Sequence, residues 1–154
     1  MSEIAVVGAG SWGTALALHL ARRGDAVRLW FHDGRREARV SRTRVNTTYL
    51  PGHRLPARIR TTARLEAAVA GASMVLLVVP SHHVRLVARQ CRPWLDRKAP
   101  MVIASKGIEN RTLLRMSEVV AQETGLPLRR IASLSGPSFA REVAEGEPTT
   151  VVVG

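Results

Sequence analysis

Several things are scarce in this sequence, and each absence narrows what the chain can do. It has one cysteine, Cys91, so no internal disulfide forms, which fits a reducing compartment. No cysteine-centred motif surrounds Cys91, and we expect a plain, partly buried thiol. Long apolar runs are missing. No stretch approaches the roughly 18 residues of a membrane-spanning helix. The chain passes from Met-Ser-Glu-Ile straight into a strand-like run, so no signal peptide and a cytoplasmic protein are expected. Aromatics make up only 4% of residues. The net charge of +11 raises nucleic acid as a partner. However, the arginines are scattered, mixed with acids and not interleaved with aromatics that would stack on bases. A solvated basic surface is the expectation, with an anionic small substrate next and no nucleic acid. Lysine is scarcer still. Lys98 and Lys106 are the only lysines among 23 basic residues, so a lysine here can mark a place where arginine does not serve. His19, His82 and His83 have no partners at metal-ligand spacing, and no metal is expected.

Alternation is what the sequence does have. Ile4 to Val7 is a β-branched run stopped by glycine, as in a buried parallel strand. Gly13 to Arg23 has helical spacing, with Leu16 and Leu20 four apart and Gly24 at the stop position. Ala26 to Phe31 is a second strand. Arg35 to Asn46 is expected to be a basic helix, Tyr49-Leu50-Pro51-Gly52 a turn and Ile59 to Thr62 a strand. Beyond these, helices are expected over Leu65–Ala70, His83–Leu95 and Thr112–Glu123, where Leu113, Met116 and Val120 share a face. A further short helix is expected near Ser138. Strands are expected over Met74–Val79, Met101–Ala104, Ile131–Leu134 and Thr149–Val153. This pattern predicts an α/β fold: a doubly wound, mainly parallel sheet with helices on both faces. The last strand ends one residue before the sequence does, with no helix to cover it. Residues 1–154 are therefore expected to be one domain cut short of its final elements.

Gly8-Ala9-Gly10-Ser11-Trp12-Gly13 matches G-x-G-x-x-G and lies between the first strand and the first helix, the context in which this loop binds a dinucleotide. In that use Gly8 permits the turn, Gly10 admits the pyrophosphate and Gly13 lets helix and strand pack closely. The helix N-terminus offers N–H groups and a partial positive charge. The end of the second strand should meet the adenosine ribose, and there His32-Asp33 precedes Arg35-Arg36. The acid suits NAD, whereas the two guanidiniums suit the extra phosphate of NADP and favour NADP(H) over NAD(H). Asp33 is equally placed to cap the following helix.

Two further segments follow strands. Ser105-Lys106-Gly107 places a lysine where ligands bind in open parallel sheets, though a strand-end lysine is often only a surface group. Ser135-Gly136-Pro137-Ser138-Phe139-Ala140 leads towards a helix, where Ser138 caps it or binds an anion.

Together with Asn46-Thr47-Thr48-Tyr49-Leu50-Pro51-Gly52 and Val79-Pro80-Ser81, these segments resemble the bacterial NAD(P)-dependent glycerol-3-phosphate dehydrogenases, in the same order and at about the same spacing. The resemblance implies a Rossmann-like nucleotide-binding domain. It implies reversible reduction of dihydroxyacetone phosphate to sn-glycerol 3-phosphate, mainly for phospholipid synthesis. Ser11 and Trp12 would contact the pyrophosphate region, while His32, Asp33 and Tyr49 would lie near the adenosine ribose. Lys106 would touch both substrate and nicotinamide. Gly136 and Ser138 would contact substrate, and Ala140 the cofactor. The general acid/base would be a second lysine in a helical C-terminal domain that also binds the substrate phosphate and helps form a homodimer. None of those positions lies in these residues, so the 154-residue piece alone is expected to be inactive. The alternatives are a reductase of another substrate, such as ketopantoate or a 3-hydroxyacyl-CoA, and a non-catalytic module that senses NAD(P) redox state.

Overall fold

The computed structural model describes residues 3–154. Seven strands form one sheet, β1 (Glu3–Val7), β2 (Ala26–Trp30), β3 (Ile59–Thr62), β4 (Met74–Leu77), β5 (Met101–Ile103), β6 (Ile131–Ser135) and β7 (Val152–Val153). Their spatial order is β3-β2-β1-β4-β5-β6-β7. Every pairing is parallel except β6 with β7. Six helices join them, α1 (Ser11–Arg22), α2 (Gly34–Thr43), α3 (Leu65–Val69), α4 (Ser81–Cys91), α5 (Met116–Thr124) and α6 (Ala140–Glu145).

The unbroken apolar character of β1 follows from burial on both faces. Successive strand residues point to opposite sides. Ile4 and Val6 join a core with α1 and with Val143 and Ala144 of α6. Ala5 and Val7 join a second core with residues of α3, α4 and α5. The sheet is thus doubly wound, as the alternation predicts.

Several boundaries differ from expectation, and those at the end of α4 and the start of α5 have a clear local cause. α4 stops at Cys91 because Pro93 removes an N–H donor and restricts Arg92, and a short 3-10 turn follows. α5 starts at Met116, not Thr112. Leu113 takes a left-handed φ of 59° and is 69% exposed, so its helical spacing to Met116 is coincidental. The chain from 108 to 115 instead folds back through an antiparallel bridge between Ile108 and Arg115. The helix expected near Ser138 begins at Ala140 and has no side-chain cap. The last strand shortens to two residues.

The chain builds β1, β2 and β3 outward in one direction, then crosses back to lay β4 on the other side of β1. Neighbouring connections therefore diverge at the β1/β4 boundary. A crevice opens there beyond the C-terminal strand ends, the place where open sheets of this kind bind ligands.

Candidate functional site

A cleft of about 660 Å³ occupies that crevice, within the usual size of small-molecule sites. One side is the glycine loop, with Gly8, Ala9, Gly10 and Ser11. A Cβ on Gly13 would overlap the Gly8 carbonyl oxygen, and one on Gly8, where φ is +125°, would overlap the Val78 carbonyl. Strand β1, helix α1 and the end of β4 can pack this closely only without those side chains. Gly10 differs, since a Cβ there meets nothing within 4 Å. It is the N-cap of α1, and no side chain caps the helix. The first turn of α1 has no acidic residue, and Thr14 N to Gly10 O, at 2.9 Å, is the first hydrogen bond of the helix. The donors ahead of Thr14 thus face the cleft mouth with the positive end of the helix dipole behind them. That suits a diphosphate, and an acidic first-turn side chain would oppose it.

The opposite end of the cleft holds His32, Asp33, Arg36 and Tyr49. Asp33 accepts from the backbone N–H groups of Arg35 (2.9 Å) and Arg36 (3.3 Å), so it caps α2. The Arg36 N–H is the main cause holding its carboxyl below the usual range; the Arg35 N–H and the positive charges of Arg36 and His32 add to it. The cap and the cleft wall are the same residue. The Arg36 guanidinium lies 3.7 Å from the Asp33 carboxylate and 4.7 Å from the centre of the Tyr49 ring. Arg35 points to solvent off the cleft wall, and Arg36 occupies the place the sequence suggested for a pair of arginines. The remaining wall is mainly apolar. Most of it comes from Trp30 and Phe31, from Val78, Val79 and Pro80 after β4 and from Leu86 and Val87 on α4, with His83 and Gln90 of α4 as its polar members. Leu86 was not foreseen as a site residue. It is 53% exposed, and only the fold shows that its exposed face borders the cleft.

Lys106 lies beyond β5, one strand further from the glycine loop than β4. The Ser105 hydroxyl donates to the carbonyls of Leu77 and Val79, which ties this loop to the turn forming the cleft wall. Lys106 Nζ donates to Gly136 O at 2.9 Å, and Ser138 Oγ reaches the same carbonyl at 3.4 Å. Lys106, Gly136 and Ser138 therefore stand together at the ends of β5 and β6, beside the cleft rather than in its wall. Trp12 and Ala140 pack against the core on the α1 side of the sheet, and Gly13 is buried.

A charged clamp holds the far side of the Lys106 loop. Arg85 on α4 donates through Nε to Glu109 Oε1 at 2.7 Å and through Nη2 to Oε2 at 2.8 Å, and it also pairs with Glu123 on α5. The Arg85 hydrogen bonds, helped by the Thr112 hydroxyl, hold the Glu109 carboxyl down at about 2. Because the folded value is depressed, the stability this gives is present above the ordinary value near 4.5 and is lost as pH falls towards 2. Arg85→Ala should therefore lower the urea midpoint at neutral pH, and the gap to wild type should close through that acid window. A gap independent of pH would rule out the clamp.

Cys91 is fully buried, and burial pushes its thiol up to about 12, as befits an inert packing group. Among the described residues there is no cluster of three or more potential metal ligands, and no helix is long and apolar enough to cross a membrane.

Known proteins give the arrangement a context. The family described as NAD-dependent glycerol-3-phosphate dehydrogenase N-terminus matches residues 3–154. A glycerol-3-phosphate dehydrogenase [NAD(P)+] of Desulfotalea psychrophila is 50% identical, with 99% of this chain and 46% of that protein covered. One from Moorella thermoacetica is 51% identical over 98% of this chain and 44% of that protein. The crystal structure of glycerol-3-phosphate dehydrogenase from Coxiella burnetii superposes with a TM-score of 0.91 at 38% identity, covering 99% of this chain and 46% of that one. The chain spans a little under half the length of the curated relatives it matches.

Proposed function

The chain belongs to the family of NAD-dependent glycerol-3-phosphate dehydrogenases, on their N-terminal side, and from that premise we propose that it is the nucleotide-binding part of an enzyme that reduces dihydroxyacetone phosphate to sn-glycerol 3-phosphate. The observation that carries the proposal is the uncapped start of α1 opening on a 660 Å³ cleft at the sheet's switch point. The whole enzyme supplies glycerol phosphate for phospholipid synthesis, works in the cytoplasm and pairs as a homodimer through a helical second domain.

The backbone N–H groups around Gly10 and Ser11 hold the diphosphate, and Asp33, Arg36 and Tyr49 hold the adenosine end. Bound NAD(P)H supplies the hydride. Lys106 holds a fixed positive charge where the substrate carbonyl oxygen turns negative, so it favours the transition state over the ground state. Gly136 orients that ammonium, and Ser138 is placed to bind substrate. The proton that completes the alcohol comes from a lysine of the second domain. NADPH and dihydroxyacetone phosphate thus give NADP⁺ and glycerol 3-phosphate with one proton consumed.

NADP(H) is the preferred cofactor, because Arg36 offsets the charge of Asp33 and leaves a guanidinium face for a 2′-phosphate. Arg36→Ala should raise the KM for NADPH about tenfold and change that for NADH little. Equal losses for both cofactors would refute this role.

The test of the activity is absorbance of the reduced nicotinamide with dihydroxyacetone phosphate as acceptor. The whole-length protein should turn over, and residues 1–154 alone should not. Failure of the whole protein, or brisk turnover by the piece, would overturn the proposal.

A further inference from the structure

Asn46 is fully buried, and no role in the reaction falls to it. It lies in the loop between α2 and the Tyr49 turn. Its side-chain Nδ2 donates to Ala9 O at 3.0 Å, in the glycine loop, and to Thr14 Oγ1 at 2.9 Å, in the first helical turn. Thr14 is likewise fully buried. Among the described residues Asn46 Oδ1 has no partner. Flipping the amide would set Oδ1 against the Ala9 carbonyl, acceptor to acceptor, so its orientation is fixed. A buried acceptor left unpaired costs stability. An amide is thus kept here although its oxygen does nothing, and its two donor bonds are what the residue contributes.

The bond to Ala9 acts on one peptide plane, and the bond to Thr14 ties the same amide to the first turn of α1. The Ala9 carbonyl and the Gly10 N–H belong to the same planar trans peptide and point in opposite directions. Pulling the Ala9 oxygen into the interior therefore turns the Gly10 N–H outward, on the residue whose Cβ position is open space in the cleft. The backbone of Asn46 governs the other end of the cleft. Its carbonyl accepts from Tyr49 N at 3.2 Å and Leu50 N at 2.8 Å, closing the turn that presents Tyr49 beneath Arg36.

We propose that Asn46 is a positioning residue for the nucleotide: its side chain presets the Gly10 N–H for the diphosphate, and its backbone sets the Tyr49 turn in register with it. The loop is thereby organised before a ligand arrives, which strengthens binding by reducing what must be ordered on binding. The inference rests on the cleft being a dinucleotide site.

The test is calorimetric titration with NADPH at a temperature where circular dichroism shows each variant folded. Asn46→Ala should weaken binding about tenfold or more, since a donor to the diphosphate is no longer held in place. Asn46→Asp keeps the shape but, when ionised, faces the Ala9 carbonyl with an acceptor. Its affinity should recover as the pH is lowered and the carboxyl gains a proton to donate. A residue that only stabilises the fold would shift the melting temperature and leave both the affinity of the folded protein and its pH profile as in wild type, and that result would overturn the proposal. A measurement on the unmutated protein covers variants that do not fold. Without ligand, the Asn46 side-chain NH₂ protons should already exchange slowly with solvent, and NADPH should shift the Gly10 amide resonance strongly. Fast exchange before ligand is added would also overturn it. No NADPH binding by the wild type would instead sink the nucleotide site itself.

Discussion

Lys106→Ala in the whole-length enzyme lowers kcat by about 10²–10³-fold, the usual cost of losing one preset donor to a developing oxyanion, while the dissociation constant for NADPH moves less than about threefold. The split follows from position. Lys106 stands outside the wall of the cleft, beyond β5, with its ammonium on Gly136 O at 2.9 Å. The diphosphate contacts we assign lie at the start of α1, across β4 from it. Its loop is anchored on two sides, by Ser105 on the carbonyls of Leu77 and Val79 and by Glu109 on Arg85. The ammonium therefore needs little reordering when charge develops. Lys106→Arg should recover little, because a planar fork does not replace a compact point charge. Steady-state kinetics with both substrates, beside a binding titration, measure both halves. An unchanged kcat would remove Lys106 from the mechanism.

Gly10→Ala and Gly13→Ala should fail in opposite ways, although they lie three residues apart in one loop. At Gly13 a methyl group collides with the Gly8 carbonyl oxygen, which belongs to rigid backbone. Helix α1 must move off β1, and the expected cost is at the upper end of the about 1–3 kcal/mol typical of overpacking, or above it. Thermal melting should show that loss directly. At Gly10 the backbone is extended, with φ −73° and ψ −173°, a conformation any residue adopts. The methyl meets nothing in the protein, so melting should fall by no more than about 1 kcal/mol, the usual cost of a poorer N-cap. That methyl instead occupies the approach of the diphosphate, and NADPH affinity should drop by about two orders of magnitude. If Gly10→Ala binds NADPH normally, the phosphates do not rest where we place them.

Much of the fold was legible because one signal repeats. Unbroken apolar runs such as Ile4–Val7 and Met74–Leu77 fit strands buried on both faces of a parallel sheet, and the helical spacing between them supplies the covers. The failures came where local chemistry and spacing disagree. Leu113, Met116 and Val120 have helical spacing, yet Leu113 lies in a left-handed turn of the loop that carries Lys106. Ser138 resembles a helix cap, but its hydroxyl turns back to Gly136 O and the helix starts two residues later. The glycine loop could be read from its pattern, because Gly8 and Gly13 answer to steric demands made by near neighbours and Gly10 stands open to the cleft. The sequence pointed to Arg35 and Arg36 as a pair without choosing between them, and Leu86 looked like an ordinary surface residue, because what places Arg36 and Leu86 in the cleft is the packing of α2 and α4 on the sheet. Asn46 lies within a segment that resembles the family, but its contacts with Ala9 and Thr14 cross 37 and 32 residues of sequence. No local pattern encodes them.

Titrating NADPH into the chain by calorimetry, alongside Gly10→Ala, puts the dinucleotide site to the most direct trial. One saturable site in the wild type, weakened about a hundredfold in a variant that melts nearly as the wild type does, is the predicted result. Absence of saturable binding at millimolar NADPH, or equal binding by the two proteins, would contradict it.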